Sequence, residues 1–378
     1  MDAGEITEWL QSSPSSIEKS GQRGILRFLN PGDYEQFLRT LQKSRSRSKN
    51  LQNVRHLGMI KAISFPLPNE GLPPSIIGKA HWEEDVPVSV HALPLGSVVT
   101  EKGIPWGVKH IQAPQAWNRT TGYRVKVGVI DTGVDFAHPD LRHSLERGIN
   151  LLHRMALPQD DNGHGTHISG TIAAANELQG MIGVAPRATI HPIKAFDHNG
   201  TAFVSDIILG IEWCVRNQMD VVNMSFGMKT RSKSLLNAVN YAYRAGVLIV
   251  ASSGNDGRIG DIDYPARYNQ TIAVGASNQQ RKIASFTNRS GLVDIYAPGD
   301  LIVSAWLRGK HREMSGTSMA TSHVTGAVAL LLALKPGLTP AQIKSVIKKS
   351  AKPLRNSKAS RMAGELNIMR MIKAAELL

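Results

Sequence analysis

Residues 125–133 read V-K-V-G-V-I-D-T-G, a short run dominated by β-branched side chains that ends in an acid and a glycine turn. A run of this kind is the form taken by a strand buried on both faces, whose carboxyl end opens toward a ligand. Similar runs recur at 189–194, 221–225, 247–251 and 271–274, and helical patterns lie between several of them, at 165–175, 204–216, 232–245 and 317–334. Alternation of strand and helix predicts an α/β fold: a parallel sheet with helices on both faces. Asp131, Ser225 and Asn255 fall just beyond predicted strands, where such sheets keep their sites.

Upstream the texture changes. Residues 1–23 read as a polar tail rich in Ser and Glu. A strand is expected at 24–28, then an amphipathic helix at 34–43 capped by Asp33, with Tyr34, Phe37, Leu38 and Leu41 on one face. The basic run at 44–50 reads as an exposed loop. After an apolar segment at 57–65, a Pro-rich stretch begins a poorly structured connection to about residue 100. The expected organisation is a tail (1–23), a small α+β domain (24–100) and a large catalytic domain (101–378).

Composition bounds the function. With 42% hydrophobic and 20% charged residues among 378, the chain describes a globular protein rather than a disordered one. Nearly all of the net charge of +14 falls in 101–378, but the cations are dispersed and no nucleic-acid motif accompanies them, so nucleic acid is not expected as a partner. The apolar run at 324–334 is interrupted by Gly326 and short for a bilayer, so membrane insertion is not expected. No secretory signal is legible, and the single cysteine, Cys214, sits in an apolar helical pattern as a buried structural thiol; both favour a cytoplasmic location, with secretion as the alternative.

Three short strings carry the chemistry: D-T-G-V at 131–134, N-G-H-G-T-H at 162–167 and G-T-S-M-A at 316–320. A serine hydroxyl must lose its proton to attack a carbonyl. A neighbouring imidazole takes that proton, and a carboxylate on the far side fixes the imidazole's tautomer. Asp131, His164 and Ser318 supply these three groups. Ser318 at a helix start also aims backbone N–H groups at developing negative charge.

In order and flanking residues these strings resemble those of the subtilisin family of serine proteases, over nearly all of 101–378. I-P-W-G-V-K-H-I-Q-A-P-Q-A-W (104–117), Y-P-A-R-Y (264–268) and A-P-G (297–299) also match family strings. The resemblance implies a subtilisin-like fold and a serine endopeptidase working through an acyl-enzyme on polypeptide substrates, with no organic cofactor. It implies Asp131 as orienting carboxylate, His164 as base, Ser318 as nucleophile, and Asn255, in A-S-S-G-N (251–255), as the amide that helps bind the oxyanion. Ser225, Phe226 and Gly227 match the edge that pairs with an extended substrate, and Ser252, Ser253 and Gly254 the facing wall of the primary pocket. The loop at 256–266 carries Asp256, Asp261 and Asp263, which either offset a basic surface or favour Lys or Arg before the scissile bond.

The resemblance also implies a structural calcium held by Asp140 and by a loop containing Ala175, Glu177, Gln179 and Met181, with Lys102 a departure because an ammonium repels a cation. Ser322 is a second departure, standing where the family string has Pro. Residues 24–100 resemble, more weakly, a family propeptide, implying a self-processing zymogen whose own N-terminal domain inhibits it and which cuts itself near 100–101, within 96–104. The competing reading is a catalytically silent relative acting as a binding or regulatory module.

Overall fold

The structure, a computed structural model, describes residues 2–13, 22–45, 48–68, 71–91, 93, 96–99, 103–176, 180–355 and 363–378. Two compact units divide the chain: Met1–Pro87 with Phe203–Glu212 and Ser232–Tyr241, and Val88–Ala202 with Trp213–Arg231 and Ala242–Leu378. The N-terminal stretch of the first unit ends at Pro87, earlier than the expected boundary at 100, and the segment from Val88 belongs to the second.

The larger unit is the expected α/β structure. Its seven strands run, across the sheet, Ile295–Pro298, Thr271–Ser277, Leu248–Ser252, Val221–Met224, Lys126–Asp131, Thr189–Lys194 and Ile149–Asn150. Every recorded pairing among them is parallel, so both faces need covering, and the strand side chains are almost all buried. The helix Thr317–Leu334 is buried from Thr317 through Leu331 and packs in the main core with Val127, Val250 and Val274. It is the one helix among the described residues long and apolar enough to cross a membrane, but that stretch is 83% buried, which marks it as a core helix. Cys214 is buried, and burial pushes its thiol up beyond the ordinary range, as expected of a structural residue. A hairpin at Ile302–Trp306 and Lys310–Met314 and two further helices, Pro340–Ser350 and Ile368–Glu376, were not foreseen from the sequence.

In the smaller unit, four antiparallel strands lie in the order Arg55–Leu57, Ala62–Pro66, Arg23–Phe28, Ala80–Glu84. The expected polar tail contains a helix, Ala3–Gln11, capped by the Asp2 carboxylate, and its Ile6, Trp9 and Leu10 are buried against Phe37, Leu41 and Phe65. The second helix is Pro31–Ser44, capped by Asn30 rather than Asp33; Pro31 at the first position suits a helix start because its missing N–H is not needed there. At the end of this unit, Asp85 is buried with Arg23, which donates to it at 3.2 Å, while Ser64 Oγ and the Ser205 N–H also donate. The expected unstructured connection is in fact ordered through Pro87–Val90, a strand.

Candidate active site

Each of the three chemical strings ends up at an element terminus. Asp131 closes a central strand, His164 opens the helix His164–Ala173, and Ser318 is the second residue of Thr317–Leu334. The approach of the first two is close: a Cβ on Gly165 would lie 2.2 Å from the Gly133 carbonyl oxygen, so only glycine fits. His164 Nδ1 lies 2.7 Å from Asp131 Oδ1, with both side chains buried. A carboxylate can only accept, so Nδ1 carries the proton and Nε2 presents its lone pair. That Nε2 is buried and has no hydrogen-bond partner among the described residues.

The turn before His164 is held by a residue the sequence reading missed. Asp160 Oδ1 accepts from Thr132 Oγ1 and from the N–H groups of Asn162 and Gly163, while Oδ2 accepts from the N–H and hydroxyl of Thr166. It ties the strand that ends in Asp131 to the helix that begins at His164. Buried Lys194 adds a second tie, donating to Thr132 O and Asp161 Oδ1, both at 2.6 Å. The available signal was the acidic pair directly before N-G-H-G-T-H, but nothing in that pair names its partners.

Asn255 is oriented from behind. Its Oδ1 accepts from Thr317 N–H at 2.9 Å and from Thr317 Oγ1 at 2.8 Å, which leaves Nδ2 as a buried donor with no partner among the described residues. Ser318 Oγ lies within donating distance of the carbonyl oxygens of Ser225 (2.8 Å) and His91 (2.6 Å), its one proton serving either, and is not bonded to His164. Ser225 Oγ receives Asn223 Nδ2 at 2.8 Å and donates to Ser318 O, which ties the end of the strand Val221–Met224 to the helix Thr317–Leu334. Phe226 and Gly227 do form an edge strand, and its antiparallel partner is Val90 and Ser89 of this chain. Ser252 meets the His91 side chain, Ser253 Oγ donates to Asn288 O, and the Gly254 N–H donates to Thr317 Oγ1. Ser322 is buried, its hydroxyl donating back to Met319 O within the helix.

The acidic loop separates into two kinds of carboxylate. Asp256 is exposed and Asp261 half-buried, and they are paired with Arg258, Lys229 and Arg267. Asp263 is buried and faces His91. Burial works to raise its carboxyl, but the His91 imidazole and the Arg258 guanidinium outweigh it and hold the group below the ordinary aspartate value.

The described part of the expected calcium loop does not fit calcium. Asp140 Oδ1 accepts from Asn176 Nδ2 at 2.8 Å, and Oδ2 from His311 Nε2 at 2.7 Å and from the Met181 N–H at 3.2 Å. These donors outweigh the effect of burial and hold its carboxyl below the ordinary value. The Met181 carbonyl accepts from the Asn176 N–H, and Ala175 donates its N–H to the Asp140 carbonyl. His138, beside this cluster, accepts from the Asp140 N–H and donates to Lys310 O. Calcium needs six to eight converging oxygens, whereas Asp140 is ringed by N–H groups. Glu177, Gln179 and Lys102 lie outside the described residues. We expect Tm in EDTA to stay within about 2 °C of Tm in millimolar calcium, because a site saturated a hundredfold would contribute about 2.7 kcal/mol and move Tm well beyond that. Calorimetry checks this, and a chelator-induced drop of that larger size would contradict it.

Two buried imidazoles near the site set an acid limit. His167 donates from Nε2 to the carbonyls of Ile302 and Arg312, with its Nδ1 lacking a partner among the described residues, and His323 bonds Met319 O through Nδ1. Burial pushes His167 from 6.5 down to about 3, with His164 adding to the effect, and His323 down to about 4. Between pH 6.5 and these values the unfolded chain binds protons that the folded chain refuses. Stability is therefore full above pH 6.5 and falls as the pH drops. At pH 4.5 each histidine removes about 2–3 kcal/mol. Urea midpoints of the Ser318→Ala chain at pH 7.5 and 4.5 test this; equal midpoints would contradict it.

Residues 122–365 match the sequence model of the subtilase family. The chain is 42% identical to an alkaline protease of Alkalihalobacillus alcalophilus over 276 residues, covering 73% of this chain and 69% of that one. It is 44% identical to subtilisin Savinase of Lederbergia lenta over 254 residues (67% and 93%), and 42% identical to subtilisin E of Bacillus subtilis over 261 residues (68% of each).

Proposed function

The chain belongs to the subtilase family and is a subtilisin-type serine endopeptidase, and from that premise we propose the part each residue plays. Ser318 is the nucleophile, His164 the general base and then acid, and Asp131 the carboxylate that fixes the imidazole. Asn255 Nδ2 and the Ser318 N–H bind the oxyanion. The carrying observation is the buried Asp131–His164 contact of 2.7 Å with Nε2 left available. A rotation of the Ser318 hydroxyl away from Ser225 O and toward Nε2 starts the reaction. Proton transfer to Nε2 accompanies attack on the substrate carbonyl, the negative oxygen is met by Asn255, and the same proton passes to the departing amine. Water then hydrolyses the ester.

Substrates bind as an extended strand on Phe226–Gly227, with the side chain before the scissile bond between Gly227 and Ser252–Gly254. Main-chain pairing of this kind tolerates many sequences and leaves selectivity to the pockets. The N-terminal domain acts as an intramolecular inhibitor by way of the segment that follows it, 88–91, which has the pairing partner and the serine contact a substrate would have. Subtilisins generally bind calcium; the N–H groups around Asp140 support a calcium-independent loop in this member.

The test is labelling with a fluorophosphonate probe, followed by peptide mapping. Modification on Ser318 supports the assignment. An unlabelled chain after removal of the residues preceding the cleft would favour the silent binding module instead, against which the intact Asp131, His164, Ser318 and Asn255 already speak.

A further inference from the structure

His91 is the residue whose carbonyl oxygen receives the Ser318 hydroxyl, at 2.6 Å, and its N–H donates to Ser225 O at 3.1 Å. Val90 and Ser89 continue the pairing on Phe226 and Gly227, and the Val90 N–H also donates to Gly200 O. Residues further on do not reach the nucleophile: Gly96 and Ser97 bond Glu313, and Val98 and Val99 pair with Arg312 and His311. The expected cleavage window at 96–104 therefore sits away from Ser318 wherever it is described, while Thr100 and Glu101 lie outside the described residues.

The His91 imidazole is held at both nitrogens. Nε2 lies 2.9 Å from Asp263 Oδ2, and Nδ1 lies 2.7 Å from Ser252 Oγ. Because the carboxylate can only accept, Nε2 carries a proton, and Nδ1 can take one from the serine hydroxyl. The ring lies over Gly227, where a Cβ would come within 2.3 Å of its Cε1. The pocket's charge is already matched: Arg258 contacts the other oxygen of Asp263. A lysine or arginine would meet no uncompensated carboxylate and could not accept from Ser252, since neither side chain has an acceptor. An apolar residue would leave Asp263 Oδ2 without the donor that His91 supplies and Ser252 Oγ with only its long 3.4 Å contact to Phe226 O, a loss of the kind that polar pockets reject strongly.

Resting on the serine-endopeptidase reading above, we propose that Ser252 and Asp263 form a histidine-selective primary pocket, and that the peptide bond following His91 is the chain's own cleavage site. Ser318 Oγ bonds to the His91 carbonyl carbon as its proton moves to His164 Nε2. The C–N bond to the next residue breaks as that proton passes to the amine of Ala92. Water then releases the His91 carboxylate and restores the serine. Among polypeptides, the preferred class has histidine immediately before the scissile bond.

The test begins with the full chain. N-terminal sequencing and intact mass of the purified protein should give Ala92 as the new N-terminus, with the Ser318→Ala chain uncut. The processed enzyme is then given peptides Pro-Val-Ser-Val-Xaa-Ala-Leu with Xaa as His, Lys, Arg, Phe or Leu. The histidine peptide should lead in kcat/KM by about ten- to a hundredfold, the worth of two such hydrogen bonds. In Asp263→Asn, with active sites counted by fluorophosphonate, that lead should collapse. A new N-terminus elsewhere, including within 96–104, overturns the proposal, as does faster cleavage after Phe, Leu, Lys or Arg. An uncut wild-type chain overturns it too. Fluorophosphonate then separates the two failures: a labelled Ser318 leaves the endopeptidase reading standing, and an unlabelled one removes both.

Discussion

Ser318→Ala is expected to lower kcat on a peptide substrate by about a millionfold, the loss measured for the equivalent change in subtilisin itself. The size follows from the way the three groups act as a unit. Without the hydroxyl, the base has no proton to take and no acyl-enzyme forms. His164→Ala should cost as much, and the double variant little more than either, because the second removal takes away a group that no longer has a task. Asp131→Asn should cost less, about ten-thousandfold. The geometry supports that ranking: Asp131 meets His164 at Nδ1, on the side of the ring away from Nε2. Single-turnover kinetics with active-site titration measure all four, and additive losses in the double variant would contradict the unit.

Asn255→Asp is expected to lower kcat by about a hundred- to a thousandfold with a much smaller change in KM, the range found for the equivalent amide in subtilisin. The variant changes one group and its charge. Thr317 donates its N–H and its hydroxyl to Asn255 Oδ1, and an aspartate keeps both bonds. What it loses is Nδ2, the donor with no partner among the described residues, and it places a negative charge where the oxyanion forms. Asn255→Ala also frees the Thr317 hydroxyl and should perturb KM more. If kcat for Asn255→Asp stayed within tenfold of wild type, the oxyanion assignment would fail.

Much of the catalytic unit could be read in the sequence because its signals are local. Strands at 125–130 and 247–251 are apolar enough to leave no other role, and Asp131, His164, Ser318 and Asn255 each sit in a string whose neighbours narrow the role. The N-terminal helix Ala3–Gln11 escaped because Ser and Glu dominate the surrounding composition, although Ile6, Trp9 and Leu10 already stand at helical spacing. Asp33 looked like a cap by type, but Asn30 followed by Pro31 held the actual helix start. Asp160 and Lys194 were illegible for a different reason: their contacts join segments far apart in sequence, and no spacing rule reports a bond from residue 194 to 132. His91 is the extreme case. It lies in no motif, and its meeting with Ser252, Asp263 and Ser318 exists only once the chain has folded back through more than a hundred residues of separation. The acidic loop was half legible: its composition pointed to charge, but only the burial of Asp263 against His91, with Asp256 and Asp261 left far more open to solvent, separates it from the other two.

The strand at Pro87–Val90 lies in the cleft while the chain continues past it to the hairpin at Lys310–Met314. Such an occupant is a ligand tethered at both ends, and its local concentration is set by the connecting chain, on the order of millimolar for a short flexible link. Dilution cannot release it, and a competing substrate must exceed that concentration to displace it. Cutting removes one tether, and occupancy by the remaining end then depends on how quickly it dissociates. Onset of activity should therefore follow first-order kinetics independent of enzyme concentration until the first freed molecules begin to cut others. The molecule keeps time by its own connectivity.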